Sequence, residues 1–224
     1  MVSLSHFLEL ILGTVVTLLP IINPLASATI FMAITEGDDD AWRSRQAARG
    51  CAYMACILIG FLLGGSFIMS FFGLSIPGLR IAGGLLISGI AFAMFAPKKQ
   101  GEEDAVNHAE AKAKRDISFS PLAMPMLSGP GSIAVTIGFT SFAQGWSDYI
   151  AIIAGILIVA CISYAMLRVS GRIVALIGVN IMGGLTKIMA FLLLCIGIQF
   201  VVNGVTGVLT DPVLLGAIKQ VLRP

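Results

Sequence analysis

The chain has 224 residues, of which 57% are hydrophobic and only 12% are charged, and its net charge is +2. Soluble domains carry about a quarter charged residues, so most of this protein's surface must face something other than water. The small net charge gives no reason to expect a nucleic-acid partner, because the basic residues are not gathered in one patch. The composition therefore predicts an integral membrane protein whose main partner is the lipid bilayer.

Six stretches without Asp, Glu, Lys or Arg are each able to hold a membrane-spanning helix, which needs about 20 mostly apolar residues. They cover residues 10–35, 50–79, 81–97, 117–147, 149–167 and 188–210. We expect the first to be a retained span and not a cleaved signal peptide, because no Lys or Arg precedes it. Residues 173–186 form a shorter uncharged stretch that contains Gly183 and Gly184, and it is predicted to be interfacial or re-entrant.

The basic residues are divided unevenly between the two sides that a six-span chain presents. Eleven lie in the loops after the first and third spans and in the stretch between the fifth and sixth, which share one side in a six-span chain: Arg43, Arg45, Arg49, Lys98, Lys99, Lys112, Lys114, Arg115, Arg168, Arg172 and Lys187. Three lie on the other side: Arg80, Lys219 and Arg223. Because cytoplasmic loops carry the excess of Lys and Arg, this asymmetry predicts that both termini are periplasmic.

One hydrophilic segment separates two apolar halves of the chain. Residues 98–116 have mixed charge and lack large apolar side chains, which predicts a solvated cytoplasmic linker. Docking of a partner protein is the alternative role for this segment. The predicted units are therefore a first half at 1–97, the linker at 98–116 and a second half at 117–224.

The two halves resemble each other in sequence. Pro20 is followed after 105 residues by Pro125, and Pro24 after 106 residues by Pro130, while Arg80 aligns with a lysine 107 residues later. Three spans per repeat is an odd number, so the two halves must have opposite orientations in the membrane. The predicted fold is an all-α membrane protein with six transmembrane helices, arranged as two inverted three-helix repeats.

The prolines of the first and fourth spans predict that both helices are broken. Proline has no N–H and displaces the carbonyl four residues earlier, and freed backbone groups persist in lipid only where protein, water or ligand satisfies them. A packing kink is the plainer explanation for one proline, whereas paired interruptions in two repeats indicate a substrate site near the midplane. The candidate substrate-binding residues are Pro20, Asn23, Pro24, Ser27, Pro125, Ser128, Gly129, Pro130, Gly131 and Ser132.

Several kinds of chemistry are disfavoured by what the spans lack. Glu9, Glu36 and Asp148 lie at span margins and no acidic residue lies well inside a span, which argues against a buried carboxylate relay. There is no Walker motif for ATP hydrolysis, and neither His6 nor His108 lies in a span where a catalytic set would need it. We therefore expect no enzyme activity, no metal and no cofactor.

The roles of four polar residues within or beside the spans stay open. Arg80 and Lys187, at the starts of the third and sixth spans, either extend to the lipid headgroups or reach inward to a substrate carboxylate. Gln199 and Asn203 are four residues apart and share one helix face. Their amides either line a cavity or bond a neighbouring helix.

Four segments together resemble the MarC family of bacterial and archaeal inner-membrane proteins, which includes the SnatA transporters of small neutral amino acids. The segments are LLPIINPLASATIF, GLSIPGLRIAGGLLISGIAF, PLAMPMLSGPGSIAV and IMAFLLLCIGIQFVVNG. The resemblance covers nearly the whole chain, and its most specific marks are the Asn-Pro of span one and the Gly-Pro-Gly of span four. It implies inverted repeats in the inner membrane, with an amino acid bound at Asn23-Pro24 and at residues 128–131.

Two classes of function are compatible with these features. The first is a secondary transporter of small neutral amino acids such as glycine or alanine, with a proton or sodium as coupling ion, acting alone or as a homo-oligomer. Export of other small metabolites or drugs differs from this only in substrate. The second class is a non-transporting scaffold or regulator that acts through residues 98–116. The broken helices favour transport, because a scaffold has no need to interrupt its own spans.

Overall fold

A computed structural model of the protein describes residues 4–95, 116–143 and 145–211, without the side chains of residues 173–180 and 182. Every regular element in these ranges is helical. The helices are α1 (Leu4–Ile22), α2 (Pro24–Ile34), α3 (Asp40–Phe72), α4 (Ile76–Phe95), α5 (Ser118–Leu127), α6 (Pro130–Phe139), α7 (Trp146–Arg168) and α8 (Ser170–Leu209). The predicted linker at 98–116 lies outside the described residues except for Asp116.

The described helices give either five or six membrane crossings. Helices α1, α3, α4 and α7 and the Gly183–Leu209 part of α8 are each long and apolar enough to cross a bilayer. Helices α5 and α6 pass the same test only as a pair, which is bent by 66° at its break. The prediction of an all-helical, multi-span protein is therefore confirmed, with one of the spans sharply bent.

The predicted basic loop after the first span is wrong, because its arginines belong to a helix. Arg43, Arg45 and Arg49 lie in the first three turns of α3. Asp39 caps this helix through its side chain, and Asp40 places a negative charge in the first turn, where the helix dipole favours it. At 33 residues α3 is about 50 Å long, so its basic turns extend beyond a hydrocarbon core of about 30 Å.

The structure has no separate piece at 173–186, so a re-entrant segment there is wrong, whereas an interfacial position of these residues stays a prediction. The structure has one continuous helix of 40 residues, Ser170–Leu209, which passes through Gly183 and Gly184. Glycine lowers helix propensity by about 1 kcal/mol but keeps its N–H, so it does not break the hydrogen-bond ladder as proline does. With a length of about 60 Å, α8 extends well past the hydrocarbon on the side where it begins.

The starts of α3 and α5 and the end of α7 meet at one end of the helix bundle. Arg49 lies 3.6 Å from the Asp116 carboxylate, and the Ser44 hydroxyl lies 3.1 Å from the Tyr164 hydroxyl. The Asp116 carboxylate accepts hydrogen bonds from the Ser118 hydroxyl and N–H, which lower its pKa. We call this the basic end, because it gathers the arginines of α3 and of the α7–α8 junction.

The described part of the chain both begins and ends at the opposite end of the bundle. Here the His6 imidazole at the start of α1 lies 3.6 Å from the carboxylate of Asp148 at the start of α7. Arg80, at the start of α4, donates a hydrogen bond to Ser141 just after α6. The last turns of α8 pack on Pro77. The described chain therefore starts at Leu4 and ends at Asp211 on the side away from the basic end, and the periplasmic location of both termini stays a prediction.

Each main helix contact joins the first half of the chain to the second. Helix α1 packs on α7, α3 packs on α5, α6 and α7, and α4 packs on α8. The buried core between these helices is apolar and includes the side chains of Leu18, Phe31, Met54, Leu58 and Ile156. Among the described residues, neither half forms a core of its own.

Three glycines bring the backbones of α4 and α8 into direct contact. A Cβ atom added at Gly84 would lie 2.5 Å from the Gly197 carbonyl oxygen, and one added at Gly204 would lie 2.8 Å from the Pro77 carbonyl oxygen. Since Gly84 meets Gly197 while Pro77 meets Gly204, the two helices are antiparallel. Small residues of this kind allow the close approach of membrane helices. We call Gly84, Gly197 and Gly204 the glycine seam.

Candidate functional site

The first break lies at Asn23, between α1 and α2, as predicted. Asn23 has φ 44° and ψ 64°, a left-handed conformation that asparagine tolerates better than most residues. Its side-chain oxygen accepts a hydrogen bond from the Ala26 N–H at 3.3 Å, and its carbonyl accepts from the Ser27 N–H at 3.1 Å. Pro24 starts α2 and has no N–H to satisfy. Asn23 therefore both turns the chain and caps the helix that follows.

Helix α5, which leads to the second break, is irregular. It has wide π-type turns, and Ser120 and Met124 within it have extended backbone conformations, with φ/ψ of −129°/121° and −131°/125°. Each of the two precedes a proline, and both peptide bonds to these prolines are cis. The residue before a proline avoids the α region, so Pro121 and Pro125 account for the two extended residues.

The second break lies at Ser128 and Gly129, between α5 and α6, again as predicted. Gly129 is extended, with φ −70° and ψ 170°, and Pro130 is the first residue of α6, as Pro24 is of α2. In contrast to the first break, no side chain caps the start of α6. The Ser132 hydroxyl donates to the Gly129 carbonyl at 2.8 Å, so its proton is directed away from any substrate at the helix start.

Ser128 carries a buried hydroxyl without a hydrogen-bond partner. The residue is 1% exposed, and none of the described residues bonds to its Oγ. Its N–H is satisfied by the Ala123 carbonyl at 2.8 Å, so only the side chain lacks a partner. Leaving a buried polar group unpaired costs about 1–3 kcal/mol, which is a reason to look for a ligand at this position.

The two breaks lie next to each other. A Cβ atom added at Gly131, in the first turn of α6, would lie 3.7 Å from Cγ2 of Ile21, in the last turn of α1. The same atom would lie 3.4 Å from Cγ1 of Ile87 and 3.4 Å from Cδ1 of Ile90, both on α4. The start of α6 is thus enclosed by apolar side chains from two other helices.

Helix α4 contacts both breaks through one face. The Asn23 amide nitrogen lies 3.9 Å from the Met94 sulfur, and Met94 follows Ile87 and Ile90 at the spacing of one helix face. A thioether is a weak acceptor, so the Asn23 amide is poorly satisfied. Sequence reasoning missed this face of α4, because apolar residues in a wholly apolar span give no contrast that would single it out.

The ten predicted site residues differ in their surroundings. Gly129 is half-buried, and Pro125 and Pro130 are exposed. The buried ones are Pro20, Asn23, Pro24, Ser27, Ser128, Gly131 and Ser132. The structure brings together the ends of both breaks, and a role of these residues in substrate binding stays a prediction.

Three of the four polar residues whose roles were open have partners away from the breaks. The Arg80 guanidinium bonds Ser141 and lies 5.0 Å from the centre of the Phe142 ring, so it holds the turn after α6. The Gln199 amide donates to the Asn203 side-chain oxygen at 2.9 Å, and both residues are exposed on α8. Among the described residues, these two amides therefore satisfy each other.

The structure also contains a cavity of about 710 Å³, which lies at the basic end and not between the breaks. Its polar lining includes Arg43, Arg168 and Arg172. In the ranges that the structure describes, no group of three His, Cys, Asp or Glu side chains is placed to hold a metal ion.

The bundle and its adjacent breaks define a multi-span helical membrane protein built around interrupted helices. Residues 8–209 match the family described as MarC family integral membrane protein. The chain therefore belongs to the MarC family, and the resemblance inferred from the four sequence segments is confirmed.

The curated relatives of this chain are similar over nearly their whole length. The inner membrane protein MarC of Escherichia coli K12 is 37% identical over 217 residues, which cover 90% of this chain and 96% of the relative. The inner membrane protein MarC of Shigella flexneri matches with the same identity and coverage. No solved structure matches the chain.

Proposed function

We propose that the protein is a secondary transporter of small neutral amino acids of the glycine and alanine type, located in the bacterial inner membrane and without a catalytic step. One observation carries this proposal. At the second break, an uncapped helix start lies next to a buried hydroxyl without a partner among the described residues. An amino acid supplies the carboxylate that both groups are suited to bind.

The start of α6 is suited to hold a carboxylate. The N–H groups of Gly131 and Ser132 are in the first turn, where no carbonyl of the same helix is available to them. The positive end of the helix dipole adds to their attraction for an anion. The Ser128 hydroxyl would donate a further hydrogen bond to a carboxylate oxygen. This bond would remove the free-energy cost of a buried hydroxyl without a partner.

The first break is suited to hold the ammonium group. Pro24 has no N–H, so it cannot bond the carbonyl of Pro20 four residues earlier. Free carbonyls of unwound segments are the usual ligands for cations in transporters with broken helices. The side chains of Ile21, Ile87 and Ile90 around Gly131 would exclude bulky substrates.

The packing supports two inverted repeats. In two such repeats α1 corresponds to α5, α3 to α7 and α4 to α8. The α1–α7 contact then corresponds to the α3–α5 contact, and the α4–α8 contact corresponds to itself. Gly50 packs against Leu122 and the Ser118 carbonyl, and Gly155, which is 105 residues later, packs against residues of α1 in the same way. In this arrangement the basic end is cytoplasmic and both termini are periplasmic.

Transport requires the packing around Gly131 to loosen. Its neighbours on α1 and α4 are within 3.7 Å of a Cβ added there, so a substrate enters only when α6 moves away from α4. Opening this contact alternately toward each side of the membrane would give alternating access. We expect a proton or sodium gradient to drive the cycle.

Counterflow in proteoliposomes tests the function. Purified protein would be reconstituted, loaded with unlabelled amino acid and supplied with labelled glycine, alanine, serine, leucine or lysine outside. We expect accumulation of labelled glycine and alanine, and none of leucine or lysine. Liposomes without protein are the control for leakage. Absence of counterflow for every amino acid, with correctly inserted protein, would contradict the proposal and favour other metabolites or a scaffold role.

A further inference from the structure

The cavity of about 710 Å³ at the basic end has a strongly positive lining. It lies where the end of α2 and the start of α3 meet the α7–α8 junction. Three guanidinium groups line it, those of Arg43, Arg168 and Arg172, against a single carboxylate, that of Asp40. The lining therefore carries a net charge of two positive units, although the whole chain carries only +2.

Arg43 is held in place at the wall of the cavity. Its Nε donates to the Thr35 hydroxyl at 3.1 Å, and one of its terminal nitrogens lies 3.4 Å from the Asp40 carboxylate. The Asp40 side chain is 98% exposed, so water screens much of its attraction for Arg43. Arg43 is thus oriented by its neighbours without being neutralised by a buried carboxylate.

The other two arginines have no carboxylate partner among the described residues. Arg168 ends α7, and Arg172 lies in the first turn of α8, so the junction holds two like charges close together. The start of α8 adds to them, because Val169 provides no side-chain cap and the Ser170 hydroxyl has no partner among the described residues. Uncapped helix starts attract anions.

We propose that this cavity is a binding site for a phosphate ester, presented either by the headgroup of an anionic phospholipid or by a free phosphate compound. Guanidinium groups match phosphate oxygens in charge and geometry, and basic pockets between membrane helices bind anionic headgroups. Phe31 and Leu167 give the cavity an apolar side that suits the upper part of an acyl chain.

The bound phosphate would act on the rest of the molecule through α2. Phe31 lines the cavity and lies one helical turn from Ser27, a buried residue close to the first break. An occupant held by Arg43, Arg168 and Arg172 links the start of α3 and the α7–α8 junction to this helix. The proposed site would thus respond to an anionic lipid or to a free phosphate compound. Binding at this site does not depend on the transport proposal.

Native mass spectrometry of the purified protein, with phosphatidylglycerol or phosphatidylcholine added in detergent, would detect a retained lipid. The test variants are Arg172→Gln and the double variant Arg168→Gln/Arg172→Gln, and Arg45→Gln/Arg49→Gln is the control with the same loss of charge at the same end. We expect the double test variant to bind phosphatidylglycerol roughly thirtyfold more weakly, and the control to bind nearly as well as the wild type. Arg172 is exposed, so the single variant keeps the test valid if the double variant fails to fold.

A second arm identifies the source of the phosphate. Inorganic phosphate or phosphatidylglycerol would be titrated into lipid-depleted protein while the melting temperature is measured. Sodium chloride at equal ionic strength is the reference. Stabilisation by phosphatidylglycerol alone, weaker in the Arg172→Gln protein than in the wild type, supports a lipid headgroup site. Stabilisation by inorganic phosphate, weaker in the same variant than in the wild type, supports a site for a free phosphate compound. Equal responses in wild type, test and control variants would overturn the proposal.

Discussion

The two breaks share a plan but differ in how their polar groups are satisfied. Each is followed by a short helix that starts with proline, 11 residues long in α2 and 10 in α6. At the first break Asn23 caps α2 with its own side chain, whereas at the second break α6 is uncapped and the Ser128 hydroxyl is buried without a partner among the described residues. The first break is therefore the better satisfied of the two, and the second has more unpaired polar groups among the described residues.

The largest effect is expected from filling the space at the second break. A Cβ at Gly131 would touch α1 and α4 at ordinary contact distances, so alanine should fit while the larger Gly131→Leu side chain should not. Overpacking of about 1–3 kcal/mol corresponds to a roughly fivefold to 150-fold change in an equilibrium constant. We therefore expect Gly131→Leu to lower counterflow by about that factor and Gly131→Ala to retain more of it.

Gly89→Leu is the matched control for this substitution. Gly89 lies on α4 with no atom within 4 Å of an added Cβ, and leucine is favourable toward lipid. Its counterflow per inserted protein should stay near that of the wild type. Normal counterflow in Gly131→Leu protein would show that the second break is only a packing kink.

Ser128→Ala should separate binding from stability. Removing the buried hydroxyl should leave the melting temperature unchanged or raise it, because no protein bond among the described residues is lost. A hydrogen bond to a charged group contributes about 1.5–3 kcal/mol, so the apparent affinity for glycine should fall at least tenfold. Melting curves and concentration-dependent counterflow would be measured on the same preparation. A lower melting temperature with unchanged affinity would assign the hydroxyl to the fold.

Substitutions of Asn23 should affect stability more than affinity. Asn23→Ala removes the side-chain cap of α2, which should lower the free energy of unfolding by about 1 kcal/mol. It also places alanine in a left-handed conformation, which should lower it by roughly a further 1–2 kcal/mol. Asn23→Gly relieves the conformational cost and should be nearly as stable as the wild type. Thermal unfolding in detergent would compare the two. If glycine proves as destabilising as alanine, the left-handed turn is not what Asn23 contributes.

Arg80→Gln should have the smallest effect of the four. The substitution removes the contact with the Phe142 ring and the bond to Ser141, far along α4 from both breaks. A partly exposed contact of this kind is worth about 0.5–1 kcal/mol, so unfolding should change slightly and counterflow hardly at all. A large loss of counterflow at normal expression would instead place Arg80 on the substrate path.

The positions of both breaks could be predicted from the sequence because proline acts locally. Pro24 and Pro130 have no N–H to bond a carbonyl four residues earlier, whatever residues surround them. Both prolines are the first residue of a helix, directly after the predicted breaks. The capping difference could not be predicted in the same way. Asn23 and Ser128 are both small polar residues, and only the folded backbone shows which one bonds its own helix.

Features that depend on contacts between distant segments were not predictable. The face of α4 at Ile87 and Ile90 is apolar in a span that is apolar on every side, so periodicity does not identify it. The arginines of α3 were predicted to lie in a loop, because they follow an apolar span and no apolar run includes them. The cavity at the basic end joins residues more than a hundred positions apart.

The glycine seam has a mechanical consequence for the bundle. Side chains at ordinary helix contacts change rotamer when the helices slide, but at Gly84, Gly197 and Gly204 the two backbones approach each other directly, so fewer side chains can adjust between them. Helices α4 and α8 should therefore move as one stiff spine. Because α4 touches both breaks, we expect the short helices α2 and α6 to move relative to α4 and α8. Flexibility should therefore be greatest at the ends of α2 and α6.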